Sequence, residues 1–436
     1  MQRPTLRATP AFVTGTSASL LALLLAGPAL AQGAEGTDPA HGDEGTAAGL
    51  PVETAAPNAP DQEPAFIGQT RAPQPREMPE VETEVVAEGL PQLWSMEFLP
   101  DGRMLVSAKE GAMHIVAEDG SVGPAIEGVP EVAAVGQGGL LDLALSPEFE
   151  EDGLVFFSFA EPRDGGNGTS VARGRLEMGE DATTLTDVSV IFRQMPTYDG
   201  DKHFGSRLVF DGEGDLFVTV GERSDRQTRV EAQDPESGFG KIFHITPDGA
   251  PAPGNPFAEG GANAGAGLPE VWSIGHRNLQ AATLGPDGAL WTVEHGPRGG
   301  DELNRPEAGR NYGWPEVTYG IDYSGAPIGD GITEMEGTQQ PIYYWDPVIA
   351  PSGMALYQGD EFPEWQDALL VGGLVSEGVV VLHVEGDRVH YEERVPLDAR
   401  VRDVKVGPDG AVYAATENRQ AGSSQILRLT AAGSGQ

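Results

Sequence analysis

The sequence predicts an all-β fold, a six-bladed β-propeller of four-stranded antiparallel blades, and three observations predict it. From Val81 onward, short β-branched and aromatic runs alternate with Gly, Asp, Asn and Pro, and almost no stretch has a sustained helical period. A strand–turn–strand unit recurs six times. No Pro/Gly-rich linker interrupts residues 81–430. We therefore expect one propeller domain, residues 81–432, over the alternatives of a β-sandwich or several small β-domains.

Each repeat consists of a short apolar strand, a turn similar to Pro-Asp-Gly, and a second apolar strand. The six turn segments are Phe98–Gly102, Leu145–Phe149, Val209–Gly212, Leu284–Gly288, the diverged Met354–Tyr357, and Val406–Gly410. Such turns suit a tight reversal, because Pro fixes φ and Gly tolerates positive φ. One hairpin cannot bury its own face, so repetition must supply the core. Six copies over about 350 residues leave room for a four-stranded blade in each.

The N-terminal region before the repeats has two parts. Residues 1–31 contain two arginines, a short apolar run and Ala29-Leu30-Ala31, the order of a secretory signal peptide cleaved after Ala31. Residues 32–80 are acidic and rich in Pro, Ala and Gly, with few large apolar side chains, which predicts a disordered tether. We therefore expect an exported protein, periplasmic or secreted, with no membrane span.

Composition excludes several classes of site. The 436 residues include no cysteine, which rules out disulfides, thiolate metal sites and a cysteine nucleophile. The formal charge is −40, and removing residues 1–31, which hold two arginines and no acidic residue, would make it −42. Nucleic acid is therefore excluded as a partner.

His203 is a candidate general base. It directly precedes the third repeat, and loops of a propeller gather at the ends of its channel, where a histidine can transfer protons near neutral pH. The alternative is a structural or surface histidine.

The segment from Gly275 to Pro315 is rich in groups that could hold ligands. Arg277 offers a planar fork of donors suited to a carboxylate or quinone oxygen. Gly296 and Pro297 could expose backbone carbonyls, and Asp301 and Glu302 add carboxylates, the oxygen ligands that calcium prefers. The alternative is a solvated turn with ordinary ion pairs.

Arg400 and Arg402 alternate in strand fashion, which places both guanidinium groups on one face. In so acidic a protein, this pair indicates an anionic ligand. The alternative is a structural ion pair with Asp398 or Asp403.

Taken together, these segments resemble the aldose sugar dehydrogenases that depend on pyrroloquinoline quinone (PQQ), relatives of the soluble glucose dehydrogenases in a family of six-bladed propellers. The resemblance runs from about Val85 to Leu429. The motifs that carry it are Gly136–Asp142, His203–Asp211, Gly240–Ile242 with Asn255–Phe257, Gly275–Asn278, Glu294–Glu302, Asn311–Pro315 and Arg400–Asp403.

The resemblance implies PQQ and calcium as cofactors and an aldose sugar as substrate. The sequence does not identify the electron acceptor, for which a periplasmic cytochrome or a quinone are the candidates. His203 would take the C1 hydroxyl proton while hydride moves to the quinone, giving a lactone. Gln137 would contact the sugar. The residues around PQQ would be Arg277, Asn278, His295, Asp301, Arg400 and Arg402, with Trp345 as an aromatic wall. The carbonyls of Gly296 and Pro297 would hold the calcium that contacts PQQ, and Glu302 with the Tyr312 carbonyl would form a second, structural calcium site.

Two positions depart from the family pattern. Lys202 stands before the histidine, where Asn or Asp is usual, and Val375 stands where many relatives have a lysine that contacts PQQ. We expect these changes to affect sugar contacts and cofactor affinity. Two rival functions are a calcium-dependent, lactonase-like propeller hydrolase and a non-catalytic binding propeller. The three arginines at 277, 400 and 402 argue against the first, and His203 with Gln137 argues against the second.

Overall fold

The computed structural model describes residues 49–179, 182–418 and 422–433. Within these residues, 23 β-strands form six antiparallel sheets. The only helical elements in the described chain are short: α1 (Phe149–Asp152), α2 (Arg226–Arg229) and 3-10 turns at Val230–Gln233 and Pro363–Trp365. The predicted all-β, six-bladed propeller is confirmed. The predicted signal peptide and residues 32–48 lie outside the described residues.

Each sheet is one blade. The first strand, β1 (Val81–Leu90), belongs to blade 6 and is described with it below. Blade 1 contains β2 (Leu93–Phe98), β3 (Met104–Ala108) and β4 (Ala112–Val116). Blade 2 contains β5 (Leu140–Leu145), β6 (Leu154–Arg163), β7 (Gly166–Met178) and β8 (Thr183–Arg193). Blade 3 contains β9 (Leu208–Phe210), β10 (Leu216–Val220), β11 (Lys241–Ile245) and β12 (Val271–Ile274).

The remaining strands complete the ring. Blade 4 contains β13 (Leu279–Leu284), β14 (Leu290–Glu294), β15 (Asp301–Asn304) and β16 (Tyr343–Trp345). Blade 5 contains β17 (Pro351–Leu356), β18 (Leu369–Gly373), β19 (Gly378–Glu385) and β20 (Arg388–Pro396). Blade 6 contains β21 (Val401–Val406), β22 (Val412–Thr416), β23 (Ser424–Ala431) and β1. Blade 1 has three strands, with one isolated bridge between Val116 and Val122 at its edge, and the other five blades have four.

The ring is closed by strands from both ends of the domain. β1 pairs antiparallel with β23, in a register that sets Val81 opposite Ala431, and so completes the blade that β21 begins. The first strand of each blade also contacts the first strand of both neighbouring blades, which closes the circle. An N-terminal strand thus completes the last blade.

The sequence repeats correspond to one turn in every blade. All six lie between the innermost strand and the second strand, from β2 to β3 in blade 1 through β21 to β22 in blade 6. Because successive side chains of a strand point to opposite faces, each blade can pack against both neighbours. Six hydrophobic clusters result, each lying between two adjacent blades. Between blades 4 and 5, for example, Trp291 and Val293 pack in one cluster with Met354 and Val380.

Residues 49–80 correct the expectation of a disordered tether. This part of the chain lies along the outermost strands of blades 4 and 5. The Gln69 carbonyl accepts a hydrogen bond from Tyr344 N at 2.9 Å, and the Pro73 carbonyl accepts one from Glu392 N at 3.1 Å. Backbone groups make these contacts, so they cannot be recognised from the side-chain composition of the segment.

Across the described residues, we find no helix with the length and apolar character needed to cross a membrane.

Candidate active site

The two ends of the propeller channel differ in chemistry. One end is lined by the last residues of innermost strands, such as Glu97, Leu145 and Val406. The other end is lined by residues at or just before the starts of those strands, such as Gln137 before β5 and Arg400 before β21. The repeat therefore gathers side chains from all around the ring at this second end.

A cavity of about 390 Å³ occupies this end of the channel. Four of the residues singled out in the sequence line it: Gln137, His295, Arg400 and Arg402. The other lining residues are Gln92, Leu93, Trp94, Lys109, Gly136, Asp201, Lys202, Gln280, Leu374 and Glu417. Of the two residues that depart from the family pattern, Lys202 lies here and pairs with Asp201 at 3.1 Å, whereas Val375 is exposed.

A buried ion cluster lies in the channel wall beside the cavity. The Arg207 guanidinium contacts Asp142 at 2.7 Å and Asp403 at 3.1 Å, and it stacks over the Trp94 ring. Arg207 also donates to the Gln280 carbonyl at 3.1 Å. The cluster joins innermost strands of blades 2, 4 and 6 to the loop before β9, so it fixes the floor of the cavity relative to several blades.

His203 lies directly behind Gln137 and is 6% exposed. Its φ of +48° is in the left-handed region, which histidine adopts more readily than most residues. Its Nδ1 lies 2.9 Å from Oε2 of Glu222, a fully buried residue that the sequence analysis did not single out. Glu222 follows β10, so consecutive segments of blade 3 supply both members of the pair.

The electrostatics of this pair fix the histidine tautomer. Burial would raise the pKa of Glu222, but the charge and hydrogen bond of His203, with Arg277, outweigh burial and lower it. Ionised Glu222 can only accept, so Nδ1 of His203 carries the proton and Nε2 keeps its lone pair. Burial lowers the pKa of His203 below its ordinary value, although Glu222 opposes this, and Arg277 lowers it further.

Gln137 and Asn278 hold the backbone on either side of the histidine. The Gln137 Oε1 accepts from His203 N at 2.8 Å, and the Asn278 Oδ1 accepts from Gly205 N at 3.1 Å. Gln137 is exposed to the cavity, whereas Asn278 is 2% exposed and does not line it. Asn278 therefore supports the His203 loop instead of facing the cavity.

Arg402 in β21 and Arg400, two residues earlier, share a face as predicted. Both side chains contact Glu417. Arg400 lies 3.3 Å from its carboxylate, and Arg402 contacts the same oxygen. Burial would raise the pKa of Glu417, but the arginines hold it at about 2. The structural partner is thus Glu417 and not Asp398 or Asp403. Two guanidinium groups share one carboxylate, which leaves the cluster cationic.

His295 and Arg402 meet at a shared acceptor. The Gln280 Oε1 lies 3.1 Å from His295 Nε2 and 3.0 Å from Arg402 Nη1. Burial, with the nearby charges of Arg277, His203 and Arg402, holds the pKa of His295 well below its ordinary value. His295 is therefore neutral and donates from Nε2.

Arg277 connects the histidine region to an aromatic ring. Its Nη1 donates to the His295 carbonyl at 2.8 Å, and its guanidinium lies 5.2 Å from the centroid of the Trp314 ring. The Nε atoms of Arg277, Arg400 and Arg402 are buried and make no hydrogen bond with any residue that the structure describes. Arg400 and Arg402 line the cavity, where their positive charge suits an anionic ligand.

Asp301 supports the loop that contains Gly296 and Pro297. It accepts from Gly296 N and from Ala350 N, both at 2.8 Å, and does not line the cavity. Burial raises the pKa of Asp301 to about 7 despite these two hydrogen bonds. Its role in the structure is to fold the loop back on itself.

Glu302 and Tyr312 lie near a second acidic residue, Glu294. The Asn304 Nδ2 donates to Glu294 at 3.2 Å and to Glu302 at 3.5 Å, so the two carboxylates are close together. Burial and the charge of Glu294 raise the pKa of Glu302 well above its ordinary value. The Tyr312 ring stacks on His276, which in turn contacts Glu294 at 2.9 Å. Glu302 and the Tyr312 ring are thus connected through Glu294 and His276.

Trp345 corrects the expectation of an aromatic wall beside the cofactor. It lies on β16, the outermost strand of blade 4, and is 2% exposed in the core between blades 4 and 5. Its ring packs edge-on against Tyr343, and its Nε1 donates to Glu392 at 3.2 Å. Trp314 lies beside Arg277, and Trp94 lies beside Arg402 with its ring centroid 6.0 Å from the guanidinium.

This chain is similar to several known proteins. A family model described as Glucose / Sorbosone dehydrogenase matches residues 90–428. Aldose sugar dehydrogenase YliI of Escherichia coli (strain K12) is 43% identical over 358 residues, which cover 80% of this chain and 93% of that protein. The apo-form structure of the soluble aldose sugar dehydrogenase from Escherichia coli superposes with a TM-score of 0.75 at 40% identity, covering 81% of this chain and 100% of that one. The PQQ-bound aldose sugar dehydrogenase from Streptomyces coelicolor gives 0.66 at 28% identity, covering 81% and 99%.

Proposed function

The chain belongs to the glucose/sorbosone dehydrogenase family, and on that premise we propose that it oxidises the C1 hydroxyl of aldose sugars to the lactone, with PQQ as hydride acceptor and His203 as general base. The observation that carries the proposal is the buried His203–Glu222 pair beside a cavity lined by Arg400 and Arg402. A base with a fixed tautomer and a cationic cavity are the two requirements of this chemistry.

His203 would take the proton of the sugar hydroxyl at Nε2. Glu222 holds Nδ1 and stabilises the positive charge that develops on the ring. The lowered pKa of His203 keeps the ring neutral, and so able to accept a proton, at neutral pH. Gln137 lines the cavity and holds the His203 backbone, which suits a residue that orients the sugar.

The arginines fit an anionic quinone cofactor. PQQ would supply an electrophilic quinone that accepts hydride, and its carboxylates require cationic partners. Arg400 and Arg402 line the cavity, Arg277 donates to the carbonyl of His295 in the cavity wall, and Gln280 accepts a hydrogen bond from Arg402. The same set argues against the lactonase-like alternative, which has no polyanionic cofactor to bind.

Two places fit calcium. The loop of Gly296 and Pro297 is folded by Asp301 so that backbone carbonyls could serve as ligands beside the cofactor. At the second place, the carboxylates of Glu302 and Glu294 lie close together, and the pKa of Glu302 is raised. A divalent cation bound there would lower that pKa. Tyr312 lies near the two carboxylates. We assign the first place to the calcium that contacts PQQ and the second to a structural calcium.

We further propose that the protein is exported, because residues 1–31 have the pattern of a signal peptide. Electrons would then pass to an acceptor outside the cytoplasm, a cytochrome or a quinone.

Dye-linked oxidation tests the function. Purified protein stripped with a chelator would be assayed on a panel of aldoses with PQQ, with calcium, with both and with neither, and the matched control substrate is a methyl glycoside, whose C1 oxygen has no proton. We expect turnover only with both cofactors and only on free aldoses. Oxidation of the methyl glycoside, or turnover without PQQ, would contradict the proposal. Hydrolysis of sugar lactones in the absence of PQQ would favour the hydrolase instead.

A further inference from the structure

Residues 53–73, which we call the strap, precede residue 90, where the family match begins. The strap lies against blades 4 and 5. Its Gln69 is fully buried and donates to the Pro341 carbonyl at 2.9 Å, and its Phe66 ring lies under the Arg388 guanidinium at 3.9 Å. Ala72 N donates to the Tyr343 hydroxyl at 2.8 Å.

The strap also makes four hydrogen bonds to Asp346, which follows β16. The backbone N–H groups of Asn58 and Ala59 donate to its two carboxylate oxygens at 2.8 and 2.9 Å, and Asn58 Nδ2 adds a third hydrogen bond at 3.1 Å. Arg71 donates to the Asp346 carbonyl at 2.8 Å. Asp346 is 5% exposed, so the strap supplies the hydrogen bonds that this buried carboxylate requires.

The other side of Asp346 contacts the loop of residues 295–300. Gly299 has a φ of +83°, and a Cβ there would lie 2.7 Å from the Asp346 carboxylate, so carboxylate and loop are in close packing. Gly300 N donates to the Trp345 carbonyl at 2.8 Å. The strap also contacts the loop directly, because Arg298 Nε donates to the Asn58 Oδ1 at 3.3 Å. The loop is thus held between the cavity side and the strap.

We propose that the strap, through Asn58 and Asp346, is a positioning element that holds the loop of Gly296 and Pro297 in the geometry that binds calcium beside the cofactor. This inference rests on the proposed function, in which that loop provides the calcium ligands. Backbone carbonyls bind an ion tightly only if the loop is fixed beforehand, and residues behind the ligands supply that rigidity. A loop with Gly296, Gly299 and Gly300 in six positions has little rigidity of its own.

The experiment measures how much calcium is needed for PQQ binding. PQQ would be titrated into the full-length, chelator-stripped protein at graded calcium concentrations, with binding followed by quenching of intrinsic fluorescence. Asp346→Ala removes the anchor. Asn58→Ala removes only side-chain contacts with Asp346 and Arg298 and keeps the backbone hydrogen bonds, so it tests the idea even if Asp346→Ala does not fold. Phe66→Ala is the matched control, because it removes a strap contact on blade 5 away from the loop.

We expect the calcium concentration for half-maximal PQQ binding to rise about 10-fold in Asp346→Ala and about 3-fold in Asn58→Ala, as for loss of residues that support metal ligands. Phe66→Ala should lower the melting temperature and leave the calcium requirement within about twofold of the original, as expected for a contact that is only structural. If Asn58→Ala and any folded Asp346→Ala also keep the original calcium requirement, the strap inference is wrong while the proposed function stands. If PQQ binding by the unaltered protein does not depend on calcium, both fail.

Discussion

Glu222→Gln tests whether the buried carboxylate acts on the base. The change keeps the size of the side chain but removes its charge at a contact of 2.9 Å from His203 Nδ1. A hydrogen bond to a charged group contributes about 1.5–3 kcal/mol, and this one strengthens as the ring becomes positive in the transition state. Since 1.36 kcal/mol is a factor of ten in rate, we expect kcat to fall about 10- to 150-fold.

The pH dependence gives an independent readout of the same contact. Neutral His203 is the active form, so kcat/KM should fall as the pH drops through the pKa of His203, which lies below the ordinary histidine value. The charge of Glu222 raises the pKa of His203, so Glu222→Gln should lower this pKa and move the acid limb to lower pH. The plateau of kcat/KM should also fall. A simple loss of folded enzyme would lower the plateau without moving the limb.

The assay is dye-linked sugar oxidation with saturating PQQ and calcium, with sugar varied from below KM to saturation at each pH of a series, together with a PQQ titration. Asp201→Asn is the matched control, because it removes one negative charge from the cavity wall without contacting the imidazole. We expect Asp201→Asn to retain kcat within about threefold, in line with surface ion pairs. A Glu222→Gln enzyme with an unchanged kcat and acid limb would refute the role of Glu222.

Four further predictions address the base, the cofactor, the sugar and the metal. His203→Ala should lower kcat by about 10² to 10⁴-fold and keep PQQ binding, measured by saturating-sugar rates and a PQQ titration; near-normal turnover would remove the base assignment. Arg277→Ala should weaken PQQ binding about 10- to 100-fold in the same titration, since a buried donor to an anion is lost, and unchanged affinity would contradict its role. Lys202→Asn should give equal or higher kcat and a shifted preference in the sugar panel; a large loss of activity would show that Lys202 itself is required. Chelation should lower the melting temperature, and Glu302→Gln should reduce that difference; a melting temperature indifferent to chelation would contradict the calcium assignment.

The blade count could be predicted from the sequence because each blade begins with a local signal. A turn such as Pro408-Asp409-Gly410 specifies its own geometry, and six copies needed only to be counted. The position of the site follows from the same repeat, since His203, Asn278 and Arg400 all stand shortly before an innermost strand. The type of each residue and its position in the repeat were therefore sufficient to predict many of the residues in and around the cavity.

The acidic partners could not be recognised in the same way. Glu222 and Glu417 are two of 67 acidic residues, so their type carries little information. One signal could have found them: each follows the second apolar strand of its repeat, within two residues of β10 and β22, and Glu294 ends β14 in the same way. An acidic residue at the buried end of a core strand needs a partner, and His203, His276 and Arg402 provide it.

Two expectations were wrong, one for the strap and one for Trp345, because each depends on tertiary contacts that residue type alone does not specify. The strap was predicted to be disordered because it has few large apolar side chains, yet its backbone N–H groups and polar side chains bond to Asp346 and its neighbours. Trp345 was assigned to the cavity by resemblance, but strand alternation in β16 turns it into the core between two blades.

β1 is the first strand of the propeller to be synthesised, but its partner β23 is the last. The strand made first has no partner until the residues up to Ala431 have left the ribosome, so the ring can close only after the whole chain is available. Such a long-range contact is slow to form and leaves the facing edges of β1 and β23 exposed in the meantime. Loss of β23 would therefore open the ring, because β23 is the strand that joins β1 to the rest of blade 6.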